Sequence, residues 1–429
     1  MVGIHAGSLP HGLMGVSMNA RQRVLSSINH VEPEGLPVDL GATPSSGISA
    51  MAYDQLIQHI PFKDDRTRVY DVVQQVAQPS DEFLDYFRID AVDLGRTFNQ
   101  DDKDWQDYTL PNGQPAQHPA WFQTRRQEDG STLAFHDDEA IAVMPAAAFS
   151  FDQTVFPFLD GYPQSYGDNL DKSMGRIHWA AFAHSPWDHA GQSNFWEQLR
   201  VNALQLREKS DRAIVLSAGC NLFEWGTFLR RLDNFLVDLA SAPTEVERFL
   251  DALMERHLAS LGNICRAVGD LVDIIRLGDD LGMNTGPIMS PGTYKQIFKP
   301  RHEILCRFIH DNSSMHTFLH TCGSIYRLIP DLVDAGFEIL NPVQTNTRDM
   351  QPENLKKEFG SEVTFWGAGA DTRSVLNQGT PGQVRDHVCQ NIEILSPGGG
   401  FVFNTIHNIL PDVPPDNIIA MFEAVDEYR

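Results

Sequence analysis

The stretch MHTFLHTCGSIYRLIPDLVDAGFEIL (315–340) decides the fold of this chain. Its apolar runs at 315–319 and 338–340 have the length of buried strands, and the segment 324–335 between them has helical spacing. A strand, a helix and a second strand in this order predict two parallel strands joined by a right-handed crossover.

The same alternation continues on both sides of this stretch. We predict eight strands, at 36–40, 91–94, 213–217, 272–277, 315–319, 338–340, 363–366 and 400–403. We predict helices around and between them at 18–31, 50–59, 80–87, 195–210, 229–241, 243–268, 291–311, 324–335, 352–359, 381–395 and 415–428. Eight parallel strands close into an α/β (β/α)8 TIM barrel more naturally than into an open sheet. A doubly wound sheet is the alternative, although no GxGxxG turn follows a strand.

The segment 96–196 lacks this regularity and is rich in Asp, Gln, Pro and aromatic residues. We predict a large insertion of short β-like pieces at the barrel rim, within a single barrel domain that spans 18–429. Residues 1–17 contain no basic residue and no apolar run, which predicts a flexible leader. Five tryptophans could line an aromatic pocket or build a core: Trp105, Trp121, Trp179, Trp187 and Trp196.

Composition excludes several classes of protein. The 429 residues include 33 basic and 57 acidic ones, a net charge of −24 that disfavours nucleic acid and anionic lipid as partners. Hydrophobic residues make up 42%, as in globular proteins, and no apolar run reaches the roughly 18 residues of a membrane span. Five sparse cysteines do not form a disulfide framework, so we predict a cytoplasmic protein.

Metal-ligating side chains follow two of the predicted strands. His320 and Cys322 come directly after 315–319, and residues two apart at a strand end point the same way. Imidazole and thiolate together suit zinc, and His407 after the last strand is the natural third ligand. Three protein ligands with an open fourth position are typical of catalytic zinc. The alternative is that these are ordinary hydrogen-bonded loop residues.

Carboxylates and amides at the same strand ends are further candidates. Asp279 and Asp280 are a candidate general acid/base pair, or one of them caps the following turn. Glu224 is either a fourth, exchangeable zinc ligand or a carboxylate that stabilises a helix start. Three amides are candidates for binding substrate or for satisfying backbone groups: Asn341, Gln344 and Asn404.

Four segments resemble the uroporphyrinogen decarboxylase-like superfamily. They are GDDLGMNTGPIMSPGTYKQIFKP (278–300), HTCGSIYRLIPDLVDAGFEILNPVQ (320–344), FWGAGADTRSVLNQGTPGQVRDHV (365–388) and GGGFVFNTIHNILPDVPPDNIIAMFEA (398–424). The first half of the chain resembles the family mainly at ARQRVLSSINHVEPEGLPVDL. The resemblance implies a (β/α)8 barrel. The superfamily includes a branch of zinc methyltransferases that work with corrinoid proteins.

In that branch a His-x-Cys pair and a distant Cys hold the zinc. His320 and Cys322 match the pair, and the distant Cys falls on His407. Imidazole is also a zinc ligand, but its site carries one less negative charge and is less suited to activating a thiol. The decarboxylase branch has an arginine-bearing loop after its first strand, whereas GATPSSG after Leu40 has no arginine. Tetrapyrrole decarboxylation is therefore disfavoured.

The resemblance implies a zinc-dependent methyltransferase that exchanges a methyl group between a small molecule and cobalamin on a partner corrinoid protein. O-demethylation of a methoxylated aromatic is one form of this reaction. The alternative is a zinc-dependent lyase, decarboxylase or hydrolase without a corrinoid, and a binding protein that has lost catalysis ranks last. We leave open whether the chain forms a homodimer.

Overall fold

The computed structural model describes residues 18–60, 62–63, 66–136, 138–177 and 184–429. The predicted leader at 1–17 and Trp179 lie outside the described residues. None of the helices in the described ranges combines the length and the apolar character that crossing a membrane requires.

The main sheet consists of parallel strands that follow one another around the molecule in chain order. The strands are β1 (Ala91–Asp93), β2 (Ala213–Gly219), β3 (Ile274–Gly278), β4 (His316–His320), β5 (Ile339–Asn341), β6 (Thr364–Trp366) and β7 (Phe401–Val402). Each pairs with the next along the chain, from β1 to β7, and helices lie between them. This is a TIM-barrel-like α/β fold, as the sequence predicts.

The predicted strand at 36–40 is wrong as a regular strand, although its position in the barrel is occupied. Val38 forms a single parallel bridge with Phe403, next to β7. On its other side, the Val38 carbonyl accepts from Asp90 N–H (2.8 Å), next to β1. Pro37 has no N–H to donate, and Asp39 turns its carboxylate to Ala42 N–H (3.0 Å), which begins the next loop. The pairing therefore stays short, yet it links the two edges of the sheet.

The helices begin at most of the predicted residues, and proline opens several of them. Their bounds are Ala20–Ile28, Ala50–His59, Asp81–Tyr86, Gly167–Arg176, Phe195–Lys209, Phe223–Arg230, Leu232–Ser241, Pro243–Val268, Pro291–Thr293, Lys299–Asn312, Ile329–Asp334, Pro352–Phe359, Val375–Gln378, Pro381–Leu395 and Pro415–Asp426. Short 3₁₀ turns lie at Leu94–Thr97, Asp102–Asp104, Trp187–His189 and Tyr326–Leu328.

Three predicted helices differ from those in the structure. The helix predicted at 324–335 is a 3₁₀ turn, Tyr326–Leu328, followed by the short helix Ile329–Asp334. The helix predicted at 229–241 starts earlier, at Phe223, and Arg231 divides it because its φ of 70° is incompatible with helix. The helix predicted at 291–311 contains one π-helical segment, Tyr294–Phe298. Such segments insert an extra residue into a helix and are frequent near functional sites.

Small antiparallel sheets occupy residues 105–153 of the predicted insertion, and the helix Gly167–Arg176 follows them. Trp105–Thr109 pairs with Pro115–Pro119, and Gln123–Arg126, Thr132–His136, Glu139–Met144 and Asp152–Gln153 form a four-stranded sheet. Two further hairpins lie elsewhere, Val69–Asp71 with Val76–Ala77 and Gly282–Met283 with Gly286–Pro287. That the chain from 18 to 429 forms one domain stays a prediction.

The amino-terminal helix closes the floor of the barrel. Val24 and Ile28 pack on the inward-facing side chains of the strands, a cluster that includes Ile274, Phe318 and Trp366. Buried ion pairs surround this floor: Asp90 with Arg23 (2.6 Å) and Arg429 (2.9 Å), and Asp273 with Arg21 (2.7 Å) and Arg207 (2.7 Å). Because the floor is closed, the opposite end is the open mouth of the barrel.

Replacing Asp90→Ala should weaken the closure of the barrel. Its carboxylate accepts from Val38 N–H (2.9 Å) as well as from the two arginines, and its removal leaves buried charges without a partner. We expect a loss of about 3–5 kcal/mol in the free energy of unfolding, measured by denaturant titration.

The matched control is Asp102→Ala, which removes an aspartate that also contacts two arginines but is 83% exposed. This variant should lose no more than about 1 kcal/mol. Equal losses in both variants would contradict the role given to Asp90.

Candidate metal centre

Three side chains of metal-ligating type meet at the mouth of the barrel. His320 ends β4, Cys322 lies two residues further on, and His407 follows β7. One ligand atom from each lies within 4.8 Å of the others, and Cys322 Sγ lies 3.5 Å from His320 Nε2. This donor set suits zinc. The structure thus brings the three predicted ligands together, while the zinc itself stays a prediction.

His320 is held ready to act as a ligand. Its Nδ1 lies 2.7 Å from Asn341 Oδ1, and the Asn341 amide in turn donates to the Trp366 carbonyl (2.9 Å). Because an amide oxygen can only accept, the proton of the neutral ring belongs on Nδ1 and the lone pair on Nε2. Nε2 faces Cys322, so Asn341 fixes the tautomer and the direction that a ligand requires.

His407 is held less favourably. Its backbone φ of 66° is in the left-handed region, which a residue other than glycine occupies at a cost in free energy. Its Nδ1 accepts from Asn408 N–H (2.8 Å), which places the proton of the neutral ring on Nε2. Val343, after β5, also has a positive φ of 56°, although it is β-branched. Cys220 after β2 (φ 55°) and Ala368 after β6 (φ 60°) share this conformation, so strained residues follow four of the strands that form the mouth.

Burial controls the protonation of all three candidate ligands. It lowers the pKa of both His320 and His407 to about 3, so both rings are neutral at physiological pH. Burial also raises the pKa of the Cys322 thiol well above its usual value, and the carboxylates of Asp280 and Glu224 add to the effect. A thiolate at Cys322 therefore requires a bound cation, which is what a metal supplies.

The turn after Cys322 depends on a close approach of two backbone segments. Gly323 has φ of +85°, and a Cβ there would lie 2.3 Å from the carbonyl carbon of Gly282. Gln344 Oε1 accepts from Gly323 N–H (2.9 Å), and Asp280 accepts from Cys322 N–H (2.9 Å). These contacts fix the path of the chain beside the cysteine.

Asp279 and Asp280 point in different directions. Asp280 lines the mouth, whereas Asp279 is fully buried and accepts from Leu222 N–H (2.9 Å) and Glu224 N–H (3.0 Å). His302 Nε2 also contacts Asp279 (3.1 Å). These contacts cap the helix that carries Glu224, which is not the turn that follows Asp279, and a role of Asp279 in acid/base chemistry stays a prediction. Successive residues at a strand end face opposite sides, and this alternation could have separated the two aspartates.

Glu224 faces the cavity and is protonated more readily than an ordinary glutamate. Burial raises its pKa to about 8, helped by the negative charges of Asp280 and Asp279. Asn221 donates a hydrogen bond to its carboxylate. Glu224 does not belong to the close set formed by His320, Cys322 and His407 among the described residues. Its role as a fourth ligand stays a prediction.

The three predicted amides are buried and engaged with the protein. Asn341 orients His320, Gln344 holds Gly323, and Asn404 donates to the carbonyls of Asp39 (2.9 Å) and Ser46 (3.1 Å). None of them is among the described residues that line the cavity. That these amides contact substrate directly stays a prediction. In the structure they hold His320, Gly323 and the loop after Val38 in place.

A cavity of about 240 Å³ opens beside the candidate ligands, and His320 and His407 are among the described residues that line it. Sequence analysis missed several side chains that line it: Ser45, Asp71, Gln74, His184, Phe228 and Arg276. An arginine within the apolar strand IIRLG was a visible anomaly, because charged residues are rarely placed inside a barrel without a function. The residues at 71–74 and 184 carried no comparable signal, since only the folded chain brings them to the mouth.

The described tryptophans do not form the aromatic pocket that was considered. Trp105 and Trp187 are buried, and Trp121 is largely exposed at 41%. Neither they nor Trp196 is among the described residues lining the cavity, where Phe228 supplies the aromatic side chain.

Parts of this chain are similar in sequence to known proteins. The model of the uroporphyrinogen decarboxylase (URO-D) family matches residues 224–428. The methylcobamide:CoM methyltransferase MtaA of Methanosarcina barkeri is 29% identical over 182 residues, 42% of this chain and 49% of that protein. A uroporphyrinogen decarboxylase of Pseudoalteromonas translucida is 33% identical over 75 residues, 18% of this chain and 20% of that one. The chain spans about half the length of the MtaA proteins it matches.

Among solved structures, a methyltransferase from Methanosarcina mazei is similar with a TM-score of 0.57 and 15% identity. The similarity covers 96% of this chain and 99% of that one, and it shows a shared fold.

The fold and the strand-end site define a TIM-barrel-like α/β protein. Residues 224–428 match the URO-D family model, and the similarity to MtaA supports the methyltransferase branch of that superfamily for this part of the chain. The resemblance seen in the sequence is thereby confirmed.

Replacing Asn341→Ala should weaken metal binding without unfolding the barrel. The change removes the acceptor that holds His320 Nδ1, and loss of such a partner typically costs roughly 10–100-fold in metal affinity. The measurement is competition for zinc with a chelating dye at fixed pH.

The control is Asn417→Ala, which changes a buried amide of the last helix that donates to the Leu376 and Gly379 carbonyls (both 2.8 Å) and is not among the candidate ligands. It should lower stability and leave zinc affinity unchanged. Unchanged affinity in Asn341→Ala would show that Asn341 does not orient a ligand.

Proposed function

We propose that this chain is a zinc-dependent methyltransferase. It moves a methyl group between a small molecule and a corrinoid cofactor on a partner protein. The observation that carries the proposal is the close set of His320, Cys322 and His407 at the mouth of a barrel whose relatives are methyltransferases. O-demethylation of a methoxylated aromatic is the form of the reaction we propose to test first.

The residues present fit zinc. His320 offers Nε2 in the correct tautomer, and Cys322 offers a thiol whose deprotonation requires a cation. His407 completes the set when its Nδ1 gives up the hydrogen bond from Asn408 N–H. When bound, zinc supplies a Lewis acid that makes a substrate heteroatom a better leaving group. One thiolate rather than two leaves this site more positive, which suits an oxygen or nitrogen better than it suits the activation of a thiol.

The cavity limits what can bind next to the ligands. A volume of about 240 Å³ holds a small molecule, and a corrin ring has to approach from outside the mouth. Phe228 provides an apolar wall, whereas Asp280 and Glu224 provide acid/base groups. With its raised pKa, Glu224 carries a proton near neutral pH and can donate it to a leaving heteroatom.

Zinc-loaded protein should methylate cob(I)alamin when supplied with a suitable methyl donor. The panel consists of methoxylated aromatics, methylamines and methyl thiols, and the readout is the absorbance spectrum of methylcob(III)alamin. Metal analysis of the same sample should give about one zinc per chain, as three ligands and one open position require.

Cys322→Ala should lose most of the zinc and the methylation while keeping its thermal unfolding transition. Cys389→Ala, which changes a half-buried cysteine outside the set, should keep both. A metal-containing protein that methylates nothing in the panel would contradict the proposal and favour the lyase or hydrolase alternative with Asp280 as acid/base.

The pH dependence of the rate of methyl transfer should reveal the protonation of Glu224. Its proton is lost as the pH rises through about 8 in the metal-free site, and a bound cation only lowers that pKa. The rate of methyl transfer should therefore fall on the alkaline side, at or below about pH 8. Glu224→Gln cannot donate a proton, so it should be slow at every pH and lack this limb. An unchanged profile in Glu224→Gln would exclude Glu224 as the acid.

A further inference from the structure

Arg276 is a buried cation at the mouth of the barrel without a direct ion pair among the described residues, although Glu224 and Asp280 act on its charge from further away. It lies in β3, and its side chain lines the cavity. Its Nη2 donates to Ser45 Oγ (3.2 Å), and its Nε is buried without any hydrogen-bond partner. No carboxylate of the described residues forms an ion pair with it, although a guanidinium carries five N–H donors.

The arginines at the floor of the same barrel behave differently. Arg23 and Arg429 are paired with Asp90, and Arg207 is paired with Asp273. Burying a charge without a partner is costly, and burial lowers the pKa of Arg276. The arginines at the floor are thus paired with carboxylates, whereas Arg276 lines a cavity and keeps a donor without an acceptor. A ligand in the cavity can supply that acceptor.

The strand register places Arg276 below the candidate metal ligands. Gly278 is in register with His320, and Arg276 with Phe318, so Arg276 starts one side-chain repeat deeper in the barrel. That step is roughly 6.6 Å along a strand. Both side chains line the same cavity, and the Arg276 guanidinium reaches up to Ser45, which contacts the same Asn341 oxygen as His320 does. One small molecule can therefore touch both.

The charges around the cavity also favour an anion at this depth. Glu224 is neutral near pH 7 because burial raises its pKa to about 8, and burial raises the pKa of Asp71 as well. Asp280 accepts from Cys322 N–H and so belongs to the metal side of the cavity. Among the described residues that line the cavity, Arg276 is the one arginine, and no lysine is present.

We propose that Arg276, oriented by Ser45, is the binding site for a single carboxylate of the substrate. The planar fork of a guanidinium matches the two oxygens of a carboxylate. The substrate class is thus a small carboxylic acid whose methylated heteroatom lies a few bonds from its carboxylate, as in a methoxybenzoate. The identification of the ligand as substrate rests on the proposed function, whereas binding of the carboxylate does not.

The test is isothermal titration calorimetry of zinc-loaded protein with 3-methoxybenzoate and with the neutral analogue 3-methoxybenzyl alcohol. Arg276→Met should bind the carboxylate roughly tenfold to a hundredfold more weakly, because a charge-assisted bidentate contact is lost. Binding of the alcohol should stay unchanged. Arg276→Lys keeps the charge and loses the fork, so its carboxylate affinity should lie in between.

Two controls keep the result interpretable. Arg385→Met changes an exposed arginine paired with Glu427 and should bind both compounds as the unchanged protein does. Arg276→Met should keep its zinc and should unfold at the same or a higher temperature, because an unpaired buried charge is replaced by an apolar chain.

Equal carboxylate affinity in Arg276→Met and the unchanged protein would overturn the proposal. So would a failure of the unchanged protein to prefer the acid over the alcohol. Arg276-dependent binding without any methylation of cob(I)alamin would support this carboxylate site and refute the proposed methyl transfer. The two proposals therefore fail in different measurements.

Discussion

The structure depends on the short backbone pairing that joins the two edges of the parallel sheet. Val38 contacts Phe403 on one side and Asp90 on the other, so a segment without regular strand structure closes the barrel. Closure forces the carboxyl ends of all the strands to face one mouth. It also forces polar side chains at those ends into a confined space, where their pKa values and their partners are set by burial rather than by water.

The two ends of the barrel treat charge in opposite ways. At the floor, Asp90 and Asp273 each bind two arginines, and this cross-links the first helix to strands and loops far along the chain. At the mouth, the histidines are neutral, Glu224 holds a proton, and Arg276 has no anionic partner. A stable floor thus supports a mouth at which we propose that a cation and an anion bind. The chain's net charge of −24 gives no hint of this local balance.

Sequence periodicity was enough to predict the barrel strands from 91 onward and the helices that begin at proline. The strand-end rule was enough to bring His320, Cys322 and His407 together, because it depends on chain order alone. The strand-end rule could not predict contacts between residues that are distant in the sequence. The cap formed by Asp279, the support given by Asn341 and the exposure of Arg276 to the cavity follow from neighbours distant in sequence. The segment at 36–40 has strand-like composition, and its proline and aspartate limit the pairing only in context.

One chain of hydrogen bonds connects the floor of the cavity with its upper wall. Arg276 donates to Ser45, Ser45 donates to Asn341, and Asn341 accepts from His320. Hydrogen bonds in series polarise one another, so whatever occupies one end alters the basicity of the imidazole at the other. Thermodynamic linkage makes such an effect reciprocal: the factor by which an anion changes the affinity for a cation equals the factor by which the cation changes the affinity for the anion. Ser45 thus connects the anion site proposed at Arg276 with the metal site proposed at His320.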